Sequence, residues 1–441
     1  MNIRPNGPFL KFETLNLGLI FHWYQTQIPI NPTMKGDSIM LKLRYVSTFG
    51  LIVLVALCFA AKDVNAEVGV TDNSILVGCS NSFSGPLVYP GTQLVNNGLE
   101  SYIGYINAQG GVNGRKIKTQ YYDDGYKPQN AVGNTKRLVD QDKVFAILAS
   151  QGTGPVMATV KYLTQNKVPL LFPFQGVPIS GQKTIFTSFT PYSNQSELVV
   201  TWLVKVKGFK RIGILYQDDA YGHTFRDPGQ KTLRKLGLKW AAAESYKRGA
   251  KDLSAQVAKL RKANLDACLL VATPPPGATF LKEAHKQGWK DTKIVSSGPL
   301  TDEKYINLSG GVGEGVWGLS LWPDPVHSQD PAMVEYRKIV DKYGKDKDKT
   351  PNRYSLFGYF YAKLFVAGLE RAGKNFTRES YLAALEGIKN WENGMIPPVS
   401  FSGTNHIAQN SGFMVEVQNG IFRPISGWLT VQDGTLVPLK Q

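Results

Sequence analysis

The sequence predicts an α/β protein with two lobes and parallel-rich sheets, on three observations. The chain has 441 residues, beyond the roughly 250–300 at which single cores stop growing. It is 42% apolar and 19% charged, enough apolar side chain to fill two cores. From Glu67 onward, short apolar runs alternate with amphipathic stretches, the pattern of βαβ units around a parallel sheet.

The elements follow in order. Strands are expected over Ile75–Cys79, Ile117–Tyr122, Val144–Leu148, Val168–Phe172, Ile212–Tyr216, Ala267–Val271, Lys293–Ser296 and Val316–Leu321, each a compact apolar run. Between Thr92 and Ala108, residues Leu94, Val95, Leu99, Tyr102, Ile103 and Ile106 share one helical face, which Gly110-Gly111 ends. Helices are expected likewise over Asn130–Asp140, Pro155–Gln165, Glu197–Lys207, Leu253–Ala263, Thr279–Gln287, Met333–Tyr343 and Leu356–Ala372. Beyond Pro397-Pro398 the pattern becomes short strands and turns, around Phe413–Val417 and Ile421–Ile425.

Ahead of this region, Met40 to Ala66 reads as a secretory signal: Lys42 and Arg44 form its basic start, Leu51 to Ala61 its apolar stretch, and Val64-Asn65-Ala66 a small-residue cleavage site. The apolar stretch is shorter than the ~20 residues that span a bilayer. Residues 1–39 are expected to be an untranslated or disordered extension, with translation starting at Met40 or Met34. Leu57 is too bulky before Cys58 for a lipoprotein site. The mature chain is expected to begin at Glu67 and to reside in the periplasm.

Of the three cysteines, Cys58 leaves with the signal, while Cys79 and Cys268 sit in separate strand runs. Two buried thiols and no disulfide are expected. The formal charge is +16, of which residues 67–441 carry +13. The basic residues are interspersed with acids, as in Lys345-Asp346-Lys347-Asp348-Lys349, so no nucleic-acid partner is expected and the charge favours anionic solutes at most.

Catalytic signatures fail one by one. The five histidines are isolated from one another and from the cysteines, so no metal is expected. Gly368-Leu369-Glu370-Arg371-Ala372-Gly373-Lys374 imitates a phosphate loop, but Asn375 stands where Ser or Thr is required and the stretch closes a helix. No Gly-x-Ser-x-Gly elbow is present. The chain is expected to be neither an enzyme nor a carrier of a cofactor.

Three segments carry a resemblance: Ser84-Gly85-Pro86 after the first strand, Ile106-Asn107-Ala108-Gln109-Gly110-Gly111-Val112-Asn113-Gly114, and Tyr122-Asp123-Asp124. In this order they resemble the leucine/isoleucine/valine-binding family of type I periplasmic binding proteins, from Glu67 to the C-terminus. The resemblance implies two Rossmann-like lobes joined by a three-crossover hinge, with crossovers near Phe189-Thr190-Pro191, Leu321-Trp322-Pro323 and Pro397-Pro398. Lobe 1 would be residues 67–190 plus 322–397, and lobe 2 residues 191–321 plus 398–441. It also implies a monomer that captures a small carboxylate or amino acid for the membrane permease of an ABC importer. A ligand-binding sensor of the same fold is the alternative.

Candidate contacts lie at the strand ends. Leu148-Ala149-Ser150-Gln151-Gly152-Thr153-Gly154-Pro155 runs from strand to helix, and free N–H groups there suit a carboxylate. The family implies a solute contact at Ser150, with Gln151 and Thr153 beside it; the other reading is that Ser150 and Thr153 only cap the helix. Phe174 and Gly176 fall where the family has small and hydroxyl residues, which points to altered or stacking recognition at Phe174, or to core packing. In lobe 2 the family implies a cleft tyrosine at Tyr221, while Thr273 and Ser297 replace a tyrosine and the acid that meets an ammonium. Asp302, Glu303, Asp218 and Asp219 are the nearest acids able to take over that role.

Overall fold

The computed structural model describes residues 67–85, 93–179, 181–345 and 350–440. The expected extension, the signal and Cys58 lie outside the described residues. Among those described, no helix is long and apolar enough to cross a membrane.

Lobe 1 is built on a parallel sheet of β1 (Ser74–Asn81), β2 (Lys116–Asp123), β3 (Ala146–Leu148), β4 (Leu170–Leu171) and β5 (Ile185–Phe186), ordered β2-β1-β3-β4-β5. Its first three helices are α1 (Gln93–Ala108), α2 (Pro128–Asp140) and α3 (Thr153–Gln165). Lobe 2 takes the next stretch: α4 (Tyr192–Lys205), β6 (Ile212–Gln217), α5 (Ala220–Lys235), β7 (Ala242–Tyr246), α6 (Ser254–Lys262), β8 (Ala267–Val271), α7 (Pro274–Lys286), β9 (Lys293–Ser296), α8 (Glu303–Leu308) and β10 (Trp317–Ser320). The chain then returns to lobe 1 for α9 (Pro331–Tyr343), α10 (Arg353–Ala372) and α11 (Arg378–Glu386). It ends in lobe 2 with β11 (Phe413–Gln418), β12 (Ile421–Pro424), and a hairpin of β13 (Leu429–Gln432) and β14 (Thr435–Pro438) against α4.

The lobe 2 sheet is ordered β12-β11-β10-β9-β8-β6-β7, parallel from β7 to β10 and antiparallel beyond. Its interior strand β8, Ala-Cys-Leu-Leu-Val, is wholly buried, which is why it reads as a continuous apolar run rather than an alternating one. Cys79 and Cys268 are free, buried, and in different sheets. Burial pushes both thiols well up, so they stay protonated.

Some boundaries differ from the sequence reading for identifiable reasons. Helix α7 begins at Pro274, five residues before the expected start, because three prolines fit a first turn whose N–H groups lack helical partners anyway. Strand β7, Ala-Ala-Glu-Ser-Tyr, lies at a sheet edge and is only partly buried, so it has no apolar run to betray it. The third crossover is not at Pro397-Pro398. The chain stays against lobe 1, where Ile407 bridges Thr187 and the His406 ring stacks on Phe186 at 3.9 Å. Phe401 also packs on Phe186, at 5.1 Å. These rings cover β5, the open edge of the lobe 1 sheet, which the prolines leave unprotected. The chain leaves that edge only at residues 409–412, where Gln409 donates to Leu321 O and Thr190 donates to Ser411 O, both at 2.8 Å. The three passages between the sheets therefore run side by side.

Helices α1 and α10 cross at two glycines. A Cβ on Gly98 would fall 1.7 Å from Ser355 O, and one on Gly358 the same distance from Val95 O. Gly358→Ala should therefore destabilise the protein by about 1–3 kcal/mol or more, despite alanine's better helix propensity. Gly133 on α2 has open space around it, and Gly133→Ala should be neutral or stabilising by up to about 1 kcal/mol. Urea unfolding of both variants checks the pair, and a stabilised Gly358→Ala would refute the close crossing.

Candidate functional site

The C-terminal ends of both parallel sheets meet at one cleft, where strand-to-helix turns supply the side chains. On the lobe 1 side, β3 is followed by Ala149, held at φ 56°, and by Gly152 at φ 90° before α3 starts. The turn is tied to the one after β4: Phe174 N donates to Ser150 O at 2.8 Å and Gly152 N to Phe174 O at 3.2 Å. Gln151 N donates to Asn81 Oδ1 at 2.8 Å. Three adjacent strand ends thus share one hydrogen-bonded platform.

Ser150 is 5% exposed, and its hydroxyl receives Ser80 N–H at 3.4 Å. The N-cap of α3 is Gly152, and no side chain caps the helix. The capping reading of Ser150 and Thr153 is therefore set aside. The Thr153 hydroxyl faces the buried Tyr192 phenol at the start of α4, across the cleft. Gly176 is occupied by packing: its carbonyl accepts Tyr192 N at 2.7 Å, and a Cβ there would come within 2.5 Å of the Tyr192 ring.

Phe174 is half-buried and meets Phe357 at 4.8 Å and Phe189 at 5.1 Å, both edge-on. Trp322 continues this contact, 4.9 Å from Phe357. An aromatic wall thus runs from the cleft turn into the crossovers.

On the lobe 2 side, Tyr221, Thr273 and Ser297 come together from the ends of β6, β8 and β9. The Tyr221 hydroxyl lies 3.0 Å from Ser297 Oγ and donates to Ala272 O at 3.2 Å. Its ring stands 4.9 Å from Tyr192. Thr273 N donates to Tyr246 OH at 3.4 Å. Burial holds the Tyr192, Tyr221 and Tyr246 phenols well up, so all three remain neutral hydrogen-bonding groups at physiological pH.

Each acid considered for an ammonium already has a partner. Asp302 caps α8, accepting Lys304 N at 2.9 Å, and accepts Arg353 N at 3.0 Å. Glu303 pairs with the buried Arg353 guanidinium. Asp218 lies 3.0 Å from His223. Asp219 caps α5, accepts Gln217 Nε2 at 2.6 Å and meets Arg248 at 2.5 Å. Among the described residues no group of acids, histidines and cysteines could hold a metal.

Sequence reasoning missed Tyr126, Tyr192, Tyr246 and Arg248, which line the junction of the lobes. Tyr126 follows Asp123-Asp124-Gly125, and Arg248 follows an unrecognised edge strand, so only the strand-end position could have signalled them.

The sequence of residues 74–421 matches the model of a family described as periplasmic binding protein. A Brucella abortus "Leu/Ile/Val-binding protein homolog 7" is 27% identical over 355 residues, covering 76% of this chain and 86% of that protein. A substrate-binding periplasmic protein from Ralstonia solanacearum superposes with a TM-score of 0.74 at 26% identity, over 80% of this chain and 100% of its own. A branched-chain amino acid ABC transporter protein from Thermus thermophilus, solved with bound valine, gives 0.75 at 20% identity over 82% and 98% of the two chains, a likeness of fold. The chain belongs to the periplasmic binding protein family, whose members are solute-binding proteins.

Asp302 yields a pH prediction. Burial, with Glu303 beside it, pushes its carboxyl up from 3.8 to about 6 against the pull of Arg353. With the folded value above the unfolded one, its contribution to stability is full below about 3.8 and is lost as pH rises through about 6. Urea midpoints at pH 5 and pH 7 should therefore show a larger gain on acidification for the parent than for Asp302→Asn. Equal gains would mean that Arg353 keeps the carboxylate ionised throughout.

Proposed function

We propose that this chain is the extracytoplasmic solute-binding protein of an ABC importer, exported by the segment Met40–Ala66, and that it captures a small carboxylate with an apolar or aromatic body. One observation carries the reading: the strand ends of two lobes converge on a cleft with a hydroxyl-bearing turn on one side and a tyrosine wall on the other. The solute's carboxylate is read as meeting Ser150, Thr153 and the first N–H groups of α3, where the helix dipole favours negative charge. Phe174 offers its body a ring edge, with Gln151 and Gly176 shaping the turn, and Tyr221, Thr273 and Ser297 close the far side.

The commitment of Asp218, Asp219, Asp302 and Glu303 to partners within the chain favours a solute without an α-amino group. An ammonium enclosed without an acid would cost several kcal/mol, enough to cancel micromolar affinity. Capture needs no bond making. Hinge closure about the three adjacent crossovers would be what a permease recognises.

A thermal-shift screen of the purified protein with leucine, phenylalanine, 4-methylpentanoate and 3-phenylpropionate tests this. A bound solute at 100 times its dissociation constant should add about 2.7 kcal/mol of stability. Ser150→Ala should then lose roughly 1.5–3 kcal/mol of binding, about one to two decades, with folding nearly untouched. Unchanged affinity in calorimetry would exclude Ser150 as a contact, and preference for the amino acids over both deaminated acids would overturn the solute class.

A further inference from the structure

Arg248 sits two residues beyond β7, in lobe 2, and reaches lobe 1. Its guanidinium carbon lies 4.4 Å from the centre of the Tyr126 ring, and Nη1 approaches Tyr126 O at 3.4 Å. Nη2 meets Asp219 at 2.5 Å. A Cβ added to Gly154 would come 3.5 Å from Nη2, so the guanidinium packs against the first turn of α3. The Tyr126 ring fills the place of a side chain on Gly152, where a Cβ would fall 2.2 Å from its Cε2. The guanidinium, the ring and the Ser150–Gly154 turn are therefore contiguous.

The backbone supports a purpose for this arrangement. Tyr126 is held at φ 61° although its ring is bulky and only 5% exposed. Such a conformation is costly for an aromatic residue and persists where the surroundings impose it, typically at ligand clamps. Gly152 leaves open the space that the ring uses, and Gly154 lies within van der Waals reach of the guanidinium. Of the five donors an arginine carries, Nη2 is held firmly by Asp219, while Nη1 has only the long contact to Tyr126 O. Nη1, which lies 3.9 Å from a Cβ built on Gly154, can therefore turn toward an anion at the start of α3.

We infer that Arg248 is a specificity-determining residue, a lobe-bridging cation that selects an anionic solute end at the α3 turn and, by engaging Asp219, withholds that acid from an ammonium. The inference rests on the proposed reading of the cleft and adds to it the group that sets the sign of the charge accepted. A planar fork can serve Asp219 and a carboxylate together, whereas a lysine in its place supplies charge without that geometry.

The experiment compares the parent, Arg248→Gln and Arg248→Lys by calorimetric titration with 3-phenylpropionate, phenylalanine, 4-methylpentanoate and leucine. Arg248→Gln should weaken the two deaminated acids by about tenfold or more, the loss of one charge-assisted hydrogen bond. It should also narrow or reverse the preference over the amino acids, because Asp219 is released. Arg248→Lys should recover part of the affinity and, keeping the charge, serves as the folded reference should Arg248→Gln fold poorly. A parent and an Arg248→Gln variant with the same affinities and the same preference would overturn the inference while leaving the carboxylate reading intact. If the parent binds none of the four compounds, the carboxylate reading falls, and small-angle scattering decides on Arg248: an Arg248→Gln radius of gyration equal to the parent's overturns its bridging role, and a larger one supports it.

Discussion

The cleft depends on the tie between two turns, the one after β3 and the one after β4. Parallel strands end at the same edge of a sheet, but short loops there would be free to drift. Here Phe174 donates its N–H to Ser150 O and accepts from Gly152 N, bracketing Gln151, and Ala149 and Phe172 adopt left-handed backbone beside this bridge. Non-glycine residues in that region cost about 1–3 kcal/mol each, and the buried ladder offsets it. The result fixes Ser150, Thr153 and Phe174 relative to one another before any solute arrives, which lowers the ordering cost of binding.

Two contacts then connect the lobes from opposite sides of the crossovers. At the start of α10, Arg353 is buried against Glu303, and Tyr354 donates to Pro299 O at 2.6 Å. At the other side Arg248 lies over Tyr126. Both use an arginine beside an aromatic or a carboxylate, but only in the first is the arginine itself buried. Arg248 is the more accessible arginine, its side chain 31% exposed against 2% for Arg353, so its contacts are the more screened and the natural place for lobe separation to begin.

How much was legible in the sequence follows from what each element buries. Strands such as β1, β6 and β8 are apolar on both faces and announce themselves, and the helices facing them keep their 3.6-residue period. Edge elements do not: β5 is two residues long, and β7 mixes alanine, glutamate and serine. The site divides in the same way. Ser150, Phe174, Tyr221, Thr273 and Ser297 sit at the ends of legible strands, and it was this position together with the family resemblance that drew attention to them. Tyr126 and Arg248 became visible only when the lobes were brought together, because a contact between residues 122 positions apart leaves no local trace. The third crossover was misplaced for a related reason: Pro397-Pro398 is a loud local signal, while the packing of Phe401 and His406 on Phe186 is a distant one.

That late crossover also governs the order in which the molecule can assemble. The core of lobe 1 needs α10, which begins at Arg353 and packs on α1, near the start of the same lobe. The lobe 2 sheet needs β11 and β12, which complete only at Pro424. A growing chain therefore carries an unfinished lobe 1 core until α10 and α11 are made and an unfinished lobe 2 sheet until β12 is made, and the contact that finishes lobe 1 joins distant parts of the sequence. Such long-range closure is slow, and the two lobes have different last pieces: the core of lobe 1 has all its elements once α11 is made, whereas the lobe 2 sheet still waits for β11 and β12.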